Sequence, residues 1–150
     1  MTSKLDDLLP AAKDFMKKLA SAEAEEAAKA ARQHQKAEAE KRKLLEQFEK
    51  PSGVSDEERI KRAVVIIERA VRDGKTEVQI IRFPCDLCTD HGRAINQGER
   101  GWETTLTGLP KELYGAWAKY FQPRGYKLRA EIVSFPDGRP GDVGMTLSWE

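Results

Sequence analysis

The sequence has few of the features that mark secreted or membrane proteins. It contains two cysteines, Cys85 and Cys88, far fewer than a small disulfide-stapled secreted fold needs. No apolar run approaches the roughly 18 residues of a membrane span. Residues 1–20 carry acids and lysines throughout and lack the apolar core of a secretory signal. We therefore expect a cytoplasmic protein with no membrane partner.

A charge excess of one sign is also missing. The chain has 26 Lys and Arg against 25 Asp and Glu, a net charge of +1. Acidic and basic residues are nearly balanced within 1–52 as well, and the basic triplet at 41–43 has glutamates on both sides. No overall field therefore draws this protein to nucleic acid or to an anionic membrane, and nucleic acid is not an expected partner.

Glycine and proline are absent from Ala11 to Glu49, where alanine, glutamate, lysine, glutamine and arginine dominate. This composition is typical of a long solvated helix, which would reach about 60 Å at ~1.5 Å per residue. Its heptad seam is at best that of a weak coiled coil, because large apolar residues occur only near the ends. These residues are Phe15, Met16, Leu19, Leu44, Leu45 and Phe48. We expect residues 11–50 to contact a protein partner or a second copy; the alternative is a charged single helix or a disordered arm without a partner.

The stretch PSGVSDEE, residues 51–58, separates two parts of the chain. Proline and glycine end the first helix, and Ser55 with Glu58 forms a capping box that starts the next one. The sequence therefore predicts an extended helical arm over 1–52 and a compact domain over 53–150.

Within the compact domain, hydrophobic periodicity and turn residues indicate three helices and three strands. The first helix buries Ile60, Ala63, Val64, Ile67 and Val71 and stops at Gly74. The second runs from Pro84 to Gly98, and the third begins at Pro110. Strands are predicted over 76–83, 126–135 and 143–149, the last two joined as a hairpin. The expected fold class is α+β: a long charged N-terminal helix, then a compact domain of three helices and a small three-stranded sheet ending in a β-hairpin.

The segment FPCDLCTDHGRAIN, residues 83–96, is the best candidate for a chemical site. Cys85, Cys88 and His91 form C-x-x-C-x-x-H, which supplies the thiolate and imidazole ligands that zinc prefers. A structural zinc site needs four ligands, and the only other histidine, His34, lies in the arm. Zinc is therefore an alternative hypothesis, and no cofactor is expected.

A redox hypothesis rests on the predicted strand that leads into C-x-x-C at a helix N-terminus. This resembles the thioredoxin-like arrangement, in which the helix dipole lowers the pKa of the first thiol. The order of the later elements does not match that fold. A cysteine nucleophile with His91 as base also lacks a third, orienting group. The favoured interpretation is a helix that buries Leu87, Cys88 and Ile95, with no catalytic residue.

Four polar residues around the cysteines, Asp86, Asp90, His91 and Arg93, are the candidate binding residues. A further alternative is weak RNA binding through the C-terminal strands, where Lys127 and Arg129 lie on the outer face of a strand. The aromatic pair typical of an RNA-binding sheet is missing from that face, so a solvated surface is the simpler interpretation.

Several stretches of the C-terminal half resemble an uncharacterised family of short alpha-proteobacterial proteins. They are FP followed by CTDHGRAIN, then GWETTLTG, GYKLRAEI and FPDGRPGDVG, within residues 80–150. The resemblance implies a bacterial cytoplasmic setting and carries no activity. From the sequence we therefore expect a non-enzymatic interaction or structural protein, with a thiol redox or zinc protein and a weak RNA-binding module as alternatives.

Overall fold

The computed structural model describes residues 4–150, with side chains from Asp6 onward. The chain forms two units, Met1–Glu40 and Lys41–Glu150. Helix α2, Ala12–Glu49, contributes to both, and its last turns belong to the second unit. The long helix and the α+β class predicted from the sequence are confirmed.

The first unit contains a short helix α1, Lys4–Leu8, and the greater part of α2. Pro10 lies between them, where its missing N–H and its ring interrupt helical hydrogen bonding. Every side chain from Asp6 to Glu40 is exposed within this arrangement. This part of α2 is helical because its residues have high intrinsic helix propensity, and not because it buries an apolar face.

The second unit begins with the last turns of α2, where Leu45 and Phe48 pack against the core. Helix α3, Asp56–Arg72, starts as the capping box predicts: the Ser55 hydroxyl accepts a hydrogen bond from the Glu58 N–H at 3.2 Å. Only Ala70 of α3 is fully buried. Val64 and Val71, predicted to face the core, are 43% and 52% exposed, so α3 covers the sheet loosely.

The sheet has the strands β1, Glu77–Pro84, β2, Lys127–Ile132, and β3, Asp142–Ser148, in the order β1-β3-β2. Both pairings are antiparallel, and the predicted β2–β3 hairpin is confirmed. Because β3 is central, all of its residues from Val143 to Leu147 are buried. Gly144 in this strand has no room for a side chain, because a Cβ there would come within 2.8 Å of the Gln79 and Val133 side chains.

The core lies on one face of the sheet and includes both cysteines. Phe83, Val143 and Met145 are at most 1% exposed, and each such side chain stabilises the fold by about 1.5–3 kcal/mol on burial. The rest of the buried cluster comes from the segment after β1 and from the loop that follows: Cys85, Leu87, Cys88, Ile95 and Leu106.

The predicted helix from Pro84 to Gly98 does not form as one element. A single 3-10 turn, Cys85–Leu87, is followed by extended backbone at Cys88, and helix α4 occupies only Arg93–Gln97. His91 and Gly92 have positive φ values of 54° and 84°, which break the helix between these elements. The apolar spacing that suggested a continuous helix instead reflects a loop that inserts its apolar residues into the core.

The third predicted helix is longer than its α-helical part. Helix α5, Gly108–Ala116, continues as a π-helical turn, Trp117–Phe121, and a 3-10 turn, Gln122–Arg124. The Trp117 indole N–H donates to the Tyr126 carbonyl at 3.2 Å, which ties this segment to the start of β2. Within residues 4–150, no helix has both the length and the apolar character that crossing a membrane requires.

Candidate functional site

Both cysteines are buried in the core and are free thiols. Cys85 begins a 3-10 turn of three residues, so no α-helix dipole acts on its sulfur. Its Sγ donates to the Pro140 carbonyl at 3.4 Å. Burial raises the pKa of Cys85, and the negative charge of Asp86 raises it further.

Burial also raises the pKa of Cys88 to about 11, against the opposite effect of a hydrogen bond with the Thr105 side chain. Both thiols therefore stay protonated at neutral pH. A redox or nucleophilic cysteine needs a lowered pKa, because the thiolate is the reactive form. The predicted burial of Cys88 is confirmed, and Cys85, for which burial was not predicted, is buried as well.

The third member of the C-x-x-C-x-x-H pattern does not join the two cysteines in a ligand set. His91 is exposed, whereas Cys85 and Cys88 are 6% and 2% exposed. In the part of the chain that the structure describes, no group of three or more Cys, His, Asp or Glu side chains is arranged to hold a metal ion.

Among the predicted binding residues, Asp90 has a structural contact. Its carboxylate accepts hydrogen bonds from the Gly92 N–H at 3.0 Å and the Ala94 N–H at 2.9 Å, which caps α4. Partial burial alone would raise the pKa of Asp90, but these backbone N–H groups and the nearby Arg93 together hold it below its ordinary value. The same two bonds turn the chain at His91 and Gly92 and so explain why the predicted helix is interrupted.

The other three polar residues lie at the surface of the second unit. Asp86 forms an ion pair with Lys41 at 3.0 Å, which joins the cysteine segment to the last turns of α2. Arg93 pairs with Glu99 at 3.6 Å and remains mostly exposed, as does His91. Two of the four predicted residues thus hold local structure, and His91 with Arg93 stay candidates for a binding surface.

The positive charge on the outer face of the C-terminal strands is balanced by acids. Arg129 forms ion pairs with Glu77 at 3.0 Å and Glu131 at 3.6 Å. These carboxylates lower the positive potential that RNA binding through Arg129 and Lys127 would use.

The second unit contains an apolar pocket of about 390 Å³, which the sequence interpretation missed. Its walls are α3, the segment from α5 through the π-helical turn, one face of β1 and β3, and the C-terminal end of α2. Apolar side chains at its surface include Phe48, Ile66, Ile80, Leu113, Trp117 and Phe121. The signal in the sequence is the run RAVVII in α3, which has more apolar residues than one buried helix face can hold.

Two arginines of α3 line the same pocket. Arg59 has a side chain only 13% exposed, and its Nη2 donates to Ser52 at 2.9 Å and to Glu112 at 3.1 Å. Arg62 is 63% exposed and pairs with Glu58 at 3.3 Å. The pocket therefore combines an apolar interior with one largely buried cation and one exposed cation.

Neither the cysteine segment nor the pocket contains a side-chain arrangement that by itself identifies a reaction. Comparison with protein-family models, with curated proteins and with solved structures finds no match to this chain.

Proposed function

We propose that the protein is a non-catalytic interaction protein that associates with a second copy of itself through the arm helix, defined as residues 12–40 of α2. The observation that supports this is an exposed apolar cluster near the start of the helix. Phe15, Met16 and Leu19 are 51%, 62% and 50% exposed. At about 100° per residue they share an arc of roughly 100° of the helix circumference, so they present one continuous apolar surface.

The distribution of charge along the arm helix favours a second copy in antiparallel orientation. A mainly basic block at 13–18 is followed by an acidic block at 23–26 and a basic block at 29–36. A parallel pair in register would place each block beside its own copy, whereas an antiparallel pair with its twofold axis near Ala20 places the first basic block beside the acidic block. The attraction between these oppositely charged blocks favours the antiparallel orientation over the parallel one.

This register also brings the apolar clusters together. Leu19 is one residue from the axis, so the two copies of Leu19 differ by only about 3 Å in rise. The two copies of Met16 are separated by about 12 Å along the helix axis, which is roughly two helical turns. Alanines at 20, 27 and 30 allow the two backbones to approach closely.

The expected dimer is weak. Full burial of a large apolar side chain stabilises by about 1.5–3 kcal/mol, and each of the three is already about half covered by its own helix. Six side chains in two copies then contribute roughly 6 kcal/mol, which is within the range of about 4–15 kcal/mol that association costs in lost freedom of motion. We therefore expect an equilibrium between monomer and dimer that depends on protein concentration.

Sedimentation equilibrium of the full chain tests self-association. Replacing Phe15 and Leu19 together by serine should shift the equilibrium to monomer. The matched control is Val65→Ser, which removes an apolar side chain that is 56% exposed on α3. A wild-type chain that is monomeric at all accessible concentrations, or a double variant that dimerises as well as the control, contradicts the proposal.

Disulfide crosslinking distinguishes the two orientations. Ala20→Cys lies near the proposed axis and should form a linked dimer under mild oxidation. Ala30→Cys lies ten residues further along the arm helix and should not. In a parallel dimer both positions lie beside their own copies and both crosslink. Efficient crosslinking at residue 30 therefore rejects the antiparallel register while leaving self-association intact.

A further inference from the structure

The pocket under α3 is a cleft that is partly open to solvent and has a mainly apolar lining. A volume of about 390 Å³ falls within the range of roughly 300–1,000 Å³ that is typical of small-molecule sites. At about 30 Å³ for each water-sized group, it has room for a ligand of about a dozen non-hydrogen atoms.

The lining determines the body of such a ligand. Three aromatic rings, Phe48, Trp117 and Phe121, and several aliphatic side chains surround the space. An apolar cavity offers water too few hydrogen-bonding partners to hold it firmly. The favoured occupant is a hydrocarbon chain, which gains free energy with each methylene that it removes from water.

Arg59 determines the head group. Its guanidinium is largely buried beside the apolar lining, and the contacts that it makes to Ser52 and Glu112 both use Nη2. A guanidinium has five N–H donors in a planar fork that fits a carboxylate. The Glu112 carboxylate also accepts a hydrogen bond from the Ser52 hydroxyl at 2.8 Å, and its side chain is 36% exposed. A ligand carboxylate that takes its place on Arg59 would turn Glu112 into solvent and could accept the Ser52 hydrogen bond in its stead.

We propose that this pocket binds an unbranched aliphatic monocarboxylate of about ten carbons, with its chain among Phe48, Trp117 and Phe121 and its carboxylate on Arg59. The loose cover of α3 provides the entrance, since Ile66 lines the pocket and is 40% exposed. Arg62 also lines the pocket, but its charge is balanced by Glu58 at 3.3 Å, so Arg59 carries the recognition of the head group. The residues that line the pocket, from Phe48 to Leu147, lie outside the arm helix, so this proposal does not rest on the proposed self-association.

In the first experiment, the full chain is titrated with hexanoate, octanoate, decanoate and dodecanoate. The affinity for each ligand is measured by calorimetry and by tryptophan fluorescence. Each methylene buried at about 0.8 kcal/mol corresponds to about a fourfold gain in affinity. We expect this gain to continue to about ten carbons and then to stop, because the pocket is full. The proposal is overturned if binding does not saturate. It is also overturned if the apparent affinity keeps rising with chain length beyond ten carbons, which is the result that micelle formation would give.

The second experiment tests the head group by comparing decanoate with decanol. Decanol, which lacks the carboxylate, should bind at least tenfold more weakly. Arg59→Met should lower the affinity for decanoate at least tenfold and leave that for decanol nearly unchanged, while Arg59→Lys should retain part of the preference. The matched control is Arg82→Met, since Arg82 also pairs with a carboxylate, Asp142 at 2.9 Å, but lies outside the pocket lining.

The third experiment fills the pocket while keeping Arg59. Ala63→Leu adds volume at a lining position and should abolish decanoate binding in a protein that still unfolds cooperatively. Equal binding of decanoate and decanol, or decanoate binding that survives both Arg59→Met and Ala63→Leu, shows that the pocket does not recognise a carboxylate ligand. In that case it accepts apolar side chains of a protein partner or closes as α3 moves onto the sheet.

Discussion

In the folded protein, Cys88 is expected to react with iodoacetamide about 100-fold more slowly than an exposed cysteine. The thiolate is the nucleophile, and each unit of pKa changes its fraction at neutral pH about tenfold. The pKa of Cys88 is raised from 9.0 to about 11, a difference of two units. Since the residue is only 2% exposed, restricted access slows the reaction further. The raised pKa of Cys85 predicts slow alkylation there as well.

Mass spectrometry of the protein during alkylation, at neutral pH and again in denaturant, measures this effect. The variants Cys85→Ala and Cys88→Ala assign each rate to one thiol. Ala28→Cys, on the exposed arm helix, supplies the reference rate for an accessible thiol in the same chain. Both native thiols should react quickly only after unfolding. If either one reacts as fast as the residue 28 reference in the folded state, the interpretation of the cysteines as core residues is wrong, and thiol chemistry at this segment becomes the leading hypothesis.

Two further predictions concern the turns that shape the second unit. Asp90→Ala should lower the free energy of unfolding in urea by about 1–2 kcal/mol, because α4 loses its cap. The pKa of Asp90 is lower in the folded than in the unfolded state. The stabilisation by its carboxylate is therefore present above the unfolded pKa of about 3.9 and is lost as pH falls through the folded pKa. If the difference in unfolding free energy between wild type and Asp90→Ala does not shrink in acid, this assignment is wrong. Gly108→Ala should lower the free energy of unfolding more than Gly101→Ala does. Both glycines have positive φ, where a residue with a side chain costs about 1–2 kcal/mol. Of these two positions, only at Gly108 would the new Cβ also collide with the Phe48 carbonyl. Equal losses in the two variants would show that the close approach of α5 to the end of α2 does not matter.

The elements that the sequence predicted well depend on neighbouring residues. The arm is helical because alanine and long charged residues favour helix over many consecutive positions. The start of α3 follows from Ser55 and Glu58, three residues apart, and the β2–β3 hairpin joins strands that are close in the chain. A pattern of this kind acts through backbone hydrogen bonds within a few residues, so it can be recognised before any tertiary contact is known.

The segment around the cysteines shows where such patterns mislead. Leu87, Cys88 and Ile95 have helical spacing and are all buried, as predicted, but the backbone between them is not one helix. The Asp90 carboxylate bonds to the N–H groups of Gly92 and Ala94 and starts a new helix there. In this segment the spacing predicted which residues are buried but not the backbone path that buries them, because the Asp90 side chain competes for the same N–H groups. In α3 the spacing failed for Val64 and Val71, which are largely exposed.

By itself, the sequence determined the α+β class, the long charged helix and the limits of most elements. Only the tertiary structure decided that β3 is the central strand, that both thiols have raised pKa values, and that Arg59 lies beside an apolar pocket. The pocket is built from residues between Phe48 and Leu147, which no local pattern relates to one another. Which side chains share a cavity depends on how α3 and α5 pack on the sheet, and this packing is decided by contacts between residues far apart in the chain.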